Sequence, residues 1–335
     1  MNHKTPVISR GRPFIKQISL LTILICLFFS IPSCNSKPAS VLRVATNVWT
    51  GYEPLYLARS LGLYDKSSIR LVEMTSASQV SHAIRNGTVE AAALTLDEVL
   101  NLLQDRNIDL RVVLVTDISH GADVLIARAE ISQLADLKGK KIGVENTATG
   151  AIVLDAALQS ANLQPDSVEI VPLTVNNHVA AWNRHEIDAV VTFEPIRSEL
   201  LNKGGHELFD SSQIPGRIMD VLVVRTDAIK AQDMAIKTLI AGYFASLDYL
   251  SSHPEDAAAR MSGRLATRAE NVLPQFQGLK QPNLAGNRQW LAGEAPPLHK
   301  TASELAELMQ KHHLLRREIS INTLAEAKFL PNTTP

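Results

Sequence analysis

Beyond residue 40 the chain alternates two hydrophobic patterns. Short apolar or β-branched runs at 41–45, 69–72, 91–94, 111–115, 123–127, 141–144, 168–171, 189–192, 206–209 and 221–224 read as strands. Segments with helical spacing lie between them, at 55–61, 77–85, 96–103 and 150–160 and near 178–184 and 195–203, with Gly62 and Asn86-Gly87 as stops. This alternation predicts an α/β fold of mostly parallel sheets covered by helices on both faces. After Thr226 the pattern is mainly helical, and Ala302, Leu305, Leu308 and Met309 form one core-facing stripe. The run DVLIAR from Asp123 echoes DVLVVR from Asp220. Two such similar strands, one leaving a first lobe and one returning to it, predict a pair of crossings.

The first 40 residues follow another rule. Lys4, Arg10, Arg12 and Lys16 precede fourteen uncharged residues at 18–31, too short for a bilayer span and typical of an export signal. The run ends at Ile31-Pro32-Ser33-Cys34, which resembles a bacterial lipobox. That resemblance implies a signal peptide over 1–33, lipidation of Cys34 and a polar tether over 34–40. A signal peptide without lipid, or an uncleaved anchor, is the competing reading.

Composition sharpens this division. The first 33 residues hold four of the 33 Lys and Arg and none of the 34 Asp and Glu, leaving 29 basic against 34 acidic side chains in the body. There is no basic excess for nucleic acid. With 45% hydrophobic residues the chain has material for real cores, which excludes general disorder. Both cysteines, Cys26 and Cys34, precede residue 41, so the body has no disulfide, thiolate zinc site or thiol nucleophile. No HExxH, GxSxG or GxGxxG motif occurs. No catalytic residue, metal or cofactor is expected.

Ligands of α/β sheets sit outside the carboxyl ends of strands, so the residues after each strand are the candidates. Trp49 and Tyr52 lie in a Gly/Pro loop and offer rigid surfaces with a polar handle, or a buried structural aromatic. Thr95 and Asp97 open a helix, where capping competes with binding. Thr147 and Thr149 lead into a helix whose N–H groups suit an anionic or polar group. Asp123, Glu194 and Asp220 stand at strand ends.

Trp49-Thr50-Gly51-Tyr52-Glu53-Pro54, the 92–98 run AALTLDE, the 135–144 run ADLKGKKIGV and IDAVVT at 187–192 with Glu194-Pro195 resemble ABC-transporter solute-binding proteins. The likeness is to the nitrate/sulfonate/taurine branch, which also holds binders of thiamine pyrimidine precursors. It implies a type II periplasmic-binding fold, two doubly wound lobes joined by two crossings with a ligand between them. Lobe one would be 41–129 plus 219–330, and lobe two 130–218. By family position Trp49, Tyr52, Thr95 and Asp123 face the cleft from lobe one, and Thr147, Thr149 and Glu194 from lobe two, with Asp97 and Asp220 as further candidates. The implied protein is a monomer, exported to the periplasmic or cell-surface side and lipid-anchored to a bacterial membrane. Its implied partners are a small-molecule ligand and ABC permease and ATPase subunits.

The candidate positions themselves are acidic and aromatic. A nitrate or sulfonate site wants Arg, Lys or converging N–H groups. The residues therefore favour an amine-bearing or N-heterocyclic ligand, a sulfonate- or taurine-like zwitterion with its acid end on 147–150 being the other option. Two further readings stand beside the importer: a ligand-sensing lipoprotein, and an enzyme resembling the thiamine-pyrimidine synthase.

Overall fold

The computed structural model describes residues 1, 3–5 and 41–333. The apolar stretch of the leader, Cys34 and the tether lie outside the described residues. The chain divides into Met1–Ala39, where the described residues form no helix or strand, and Ser40–Pro335. All that follows concerns the second unit. No described helix is long and apolar enough to cross a membrane.

The elements in order are β1 (Leu42–Thr46), α1 (Glu53–Ser60), β2 (Ile69–Glu73), α2 (Ala77–Arg85), β3 (Ala91–Thr95), α3 (Leu96–Leu102), β4 (Leu110–Ser119) and β5 (Val124–Arg128). There follow β6 (Lys141–Val144), α4 (Ala148–Ser160), β7 (Glu169–Pro172), α5 (His178–Asn183), β8 (Ala189–Thr192), α6 (Ile196–Asn202) and β9 (Gly205–Asp210). The chain ends with β10 (Met219–Arg225), α7 (Thr226–Ser252), α8 (Pro254–Ser262), β11 (Leu279–Lys280), α9 (Leu284–Leu291) and α10 (Pro297–Lys311).

These strands make two sheets, ordered β11-β4-β10-β3-β1-β2 and β7-β6-β8-β5-β9. Central strands such as β3 and β8 are buried on both faces, which is why they read as unbroken apolar runs. Edge strand β2 alternates, with Arg70 and Glu73 exposed and Ile69 and Leu71 buried.

The sheets are mixed, not mostly parallel. β1 pairs in parallel with β2 and β3, but β10 runs antiparallel between β3 and β4. β6 pairs in parallel with β7 and β8, but β5 runs antiparallel between β8 and β9. The reason is topological. β5 enters the second sheet directly from β4, and β10 enters the first directly from β9, each from the other side of the molecule. β5 thus belongs to the second sheet and not, as a division at residue 129 implies, to the first.

Each sheet with its covering helices is a lobe. The two connections between them are stitched side by side: Ser119 and Ser211 hydroxyls lie 2.7 Å apart, and the Gly121 N–H donates to Ser211 Oγ at 2.7 Å. Strand ends β1, β3, β6 and β8 all open toward the space between the lobes.

Candidate functional site

Between the lobes lies a cavity of about 50 Å³, lined from both sides. A water needs about 10–15 Å³ on this scale, so the space suits a compact polar group.

The lobe-one wall is built on the loop after β1. Pro54 in the first turn of α1 ends the loop, and its Glu53 is buried. Trp49 and Tyr52 are almost fully buried. Trp49 Nε1 donates to Asp117 Oδ2 at 3.4 Å, and the Tyr52 hydroxyl donates to Asp220. Gly51 is required here: a Cβ would sit 2.0 Å from Asp117 Oδ2 and 2.4 Å from Trp49 Nε1. Thr95 caps α3, its own N–H held by Glu98 Oε2 at 3.1 Å. Asp123 comes from the first connection.

The lobe-two wall is the loop after β6 and the start of α4. Thr147 caps that helix by accepting from Gly150 N–H at 3.4 Å. Thr149 and Gly150 also line the cavity, so the first turn of a thirteen-residue helix points its N-terminal end at the space. His178 and Phe193 complete this side.

The walls touch. Ser78 N–H and Oγ donate to Glu145 Oε1 at 3.0 and 2.8 Å, placing a lobe-two carboxylate on the start of lobe-one helix α2. Trp49 meets Phe193 edge-on, with ring centroids 5.1 Å apart. Thr149 reaches both Thr95 and Asp97. The lobes are closed upon one another around the cavity.

Seven of the nine candidate ligand residues line the cavity: Trp49, Tyr52, Thr95, Asp123, Thr147, Thr149 and Asp220. Asp97 stands one shell behind, accepting from the Thr149 hydroxyl at 2.8 Å. Glu194 does not line it. Its carboxylate turns to its own helix, accepting from Ser198 N–H at 3.1 Å and Ser198 Oγ at 2.9 Å, with Arg197 at 3.9 Å. The residues that sequence reasoning passed over include Asn47, Glu98, Glu145, His178, Phe193 and Asp117. Asp117 carried a signal, since a carboxylate within a buried strand needs a partner.

Acids dominate the electrostatics, and the lining holds no Lys or Arg. Burial pushes Asp97 and Asp123 up to about 6. Burial, then the charge of Asp123, lifts Asp117 to about 7; burial, then Asp97, lifts Glu98 to about 8. Asp220 rises well above the usual range through burial and the nearby Asp117. Burial lowers His178 to about 4, so its imidazole is neutral. Buried Asp97 Oδ1, Asp117 Oδ1, Asp123 Oδ2 and His178 Nε2 have no hydrogen-bond partner among the described residues. The set can accept from a donor-rich group on one side and offer helix N–H groups on the other. No cluster among the described residues could hold a metal ion.

Comparison with known proteins agrees with this architecture. A family model described as NMT1/THI5 like matches residues 49–257. The taurine-binding periplasmic protein of Escherichia coli strain K12 is 28% identical over 240 residues, covering 67% of this chain and 74% of that protein. The alkanesulfonate-binding protein SsuA from Xanthomonas axonopodis pv. citri, solved bound to MOPS, superposes with a TM-score of 0.71 at 16% identity. The alignment covers 85% of this chain and 96% of that one. The desulfurization enzyme DszB superposes with a TM-score of 0.61 at 17% identity, over 86% and 97% of the two chains. The likeness to these solved structures establishes the fold: the two-lobed periplasmic-binding architecture, used by binders and by an enzyme alike.

Proposed function

Because the chain belongs to the NMT1/THI5-like family, we propose that it is the exported solute-binding component of an ABC importer. It closes its lobes on a small amine-bearing solute and presents the closed form to a membrane permease. The observation that carries the ligand class is Asp123 Oδ2, a buried carboxylate oxygen without a partner on a wall free of Lys and Arg. An ammonium or ring N–H group supplies the missing donors. If the solute also carries an acidic group, that end rests on the first turn of α4. A compact aminosulfonate meets both demands, which reconciles the acidic wall with the names of the sulfonate- and taurine-binding relatives.

The enzyme reading finds little to work with. Both cysteines precede residue 41, so a thiol nucleophile is not available to it.

Calorimetry with taurine, ethylamine, ethanesulfonate and nitrate tests the ligand class. Taurine and ethylamine are expected to bind, and ethanesulfonate and nitrate to bind far more weakly. Asp123→Asn should weaken the amines by about 1.5–3 kcal/mol, the scale of a charged hydrogen bond. Ethanesulfonate binding as tightly as taurine would overturn the ligand class. The carrier role is tested by uptake in cells lacking the gene: loss of import of the bound solute is expected, and undiminished import would refute it.

A further inference from the structure

The inner cavity has a larger neighbour. A groove of about 310 Å³ runs along the cleft, its apolar wall made of Val48, Met74 and Leu265 from lobe one and Val175 and Ile196 from lobe two. Phe193 lines both spaces. Phe193 and the Trp49 ring it meets are held very differently. Trp49 is 4% exposed, tethered to Asp117 and backed by Gly51, so its indole is a fixed post. Phe193 is half-buried, sits on the loop after β8 and meets Trp49 only edge-on.

We propose that Phe193 determines the length of ligand this protein accepts, by shutting the polar inner cavity off from the apolar groove. The proposal rests on the amine-solute reading and extends it. The head group binds within the inner cavity among Asp123, Tyr52 and Thr149. Any alkyl substituent must leave past the Trp49–Phe193 pair, and with Phe193 in place only a short one fits. Removing the ring joins the spaces and offers a longer alkyl chain an apolar seat touching both lobes. The ligand class admitted then changes from compact solutes to the same head group bearing a hydrocarbon tail.

Two homologous series measured by calorimetry test this: n-alkylamines from ethyl to octyl, and n-alkanesulfonates over the same lengths. In the unsubstituted protein affinity should fall by about 10-fold or more between propyl and hexyl. Phe193→Ala should invert that order, and Phe193→Leu, which keeps an apolar side chain should the alanine variant fold poorly, should lie between. Adding Ile196→Trp to Phe193→Ala fills the groove and should abolish the gain for long chains. Matching chain-length profiles in the unsubstituted protein and the Phe193 variants would overturn the gate. So would a long-chain gain that Ile196→Trp leaves intact. Sulfonates binding with a Phe193-dependent length limit while amines do not would sink the amine reading and leave the gate standing. Amines binding with no such limit would do the reverse. Failure of both series on every variant would overturn both.

Discussion

Thr95 and Thr149 face each other across the cleft with 2.9 Å between their hydroxyl oxygens, and the bond between them has a direction. Thr149 has one hydroxyl proton, which it donates to Asp97 Oδ2 at 2.8 Å. Thr95 must therefore donate to Thr149. A lobe-two side chain is thus held between two lobe-one groups, in a relay that exists only when the lobes are closed.

Thr149→Val keeps the shape and removes the relay. Ligand binding should weaken by about 1–3 kcal/mol, because closure would leave Asp97 buried without its donor. Thr149→Ser should restore most of the affinity. Calorimetry on the three proteins decides, and an unchanged affinity for the valine variant would show that the relay does not stabilise closure.

The buried acids predict an unusual pH dependence. Asp97 and Asp123 titrate near 6 in the folded protein, above their ordinary value, because burial disfavours the charge. The native state then binds more protons than the unfolded chain between about pH 4 and 6, so the contribution of these groups to stability falls as pH rises through that window. The ligand-free protein should melt higher at pH 5 than at pH 7.5. Asp123→Asn should flatten the curve. Amine binding should strengthen over the same rise in pH, as the carboxyls ionise. Thermal melts across pH, with and without ligand, measure both trends. A Tm that rises from pH 5 to 7.5 in the ligand-free protein would contradict this account.

Glu194→Gln should leave ligand affinity within about twofold while lowering stability modestly, by about 0.5–1.5 kcal/mol, through its weakened bonds to Ser198. The carboxylate serves the start of its own helix and not the cavity. A large loss of affinity with unchanged stability would reverse that assignment.

Arg264 supports the aromatic loop from behind. It donates to buried Glu53, to Glu73 Oε2 at 2.6 Å and to the Asn47 carbonyl at 2.9 Å, and its guanidinium lies 3.6 Å from the centre of the Tyr56 ring. Burial lifts Glu53 to about 7 even with Arg264 beside it. Arg264→Met should destabilise the protein by about 3–5 kcal/mol, and Glu53→Gln added to it should recover part of the loss. Urea denaturation of the single and double variants gives the coupling. Strict additivity would mean the pair is not a unit.

Much of the fold was legible because local signals agreed with the tertiary outcome. The 141–144 and 189–192 runs and the 77–85 helix occupy those same residues in the structure. β4 extends past its apolar run through Thr116 and Asp117 to Ser119, because its end is the first connection between lobes. Antiparallel insertion of β5 and β10 was not legible, since an apolar strand looks alike in either direction. The echo between their sequences did mark them as a pair. At the site, the strand-to-helix loop of Thr147 and Thr149 could be read from hydroxyls before a helix. The direction in which Glu194 points could not, because its strand-tip position fits the cavity and the helix equally. His178 gave no motif, and only the fold brings it to Thr192 and the cavity.

The insertion of β10 also orders events in time. It is the strand that joins β3 to β4, yet it lies about a hundred residues later in the chain. As the polypeptide is made, the first sheet has a gap at its centre until residue 225 has emerged. Contacts so distant in sequence form late and slowly. Nascent chains shorter than that should remain open to a protease or a chaperone, and the first sheet should acquire its resistance only after residue 225 has emerged.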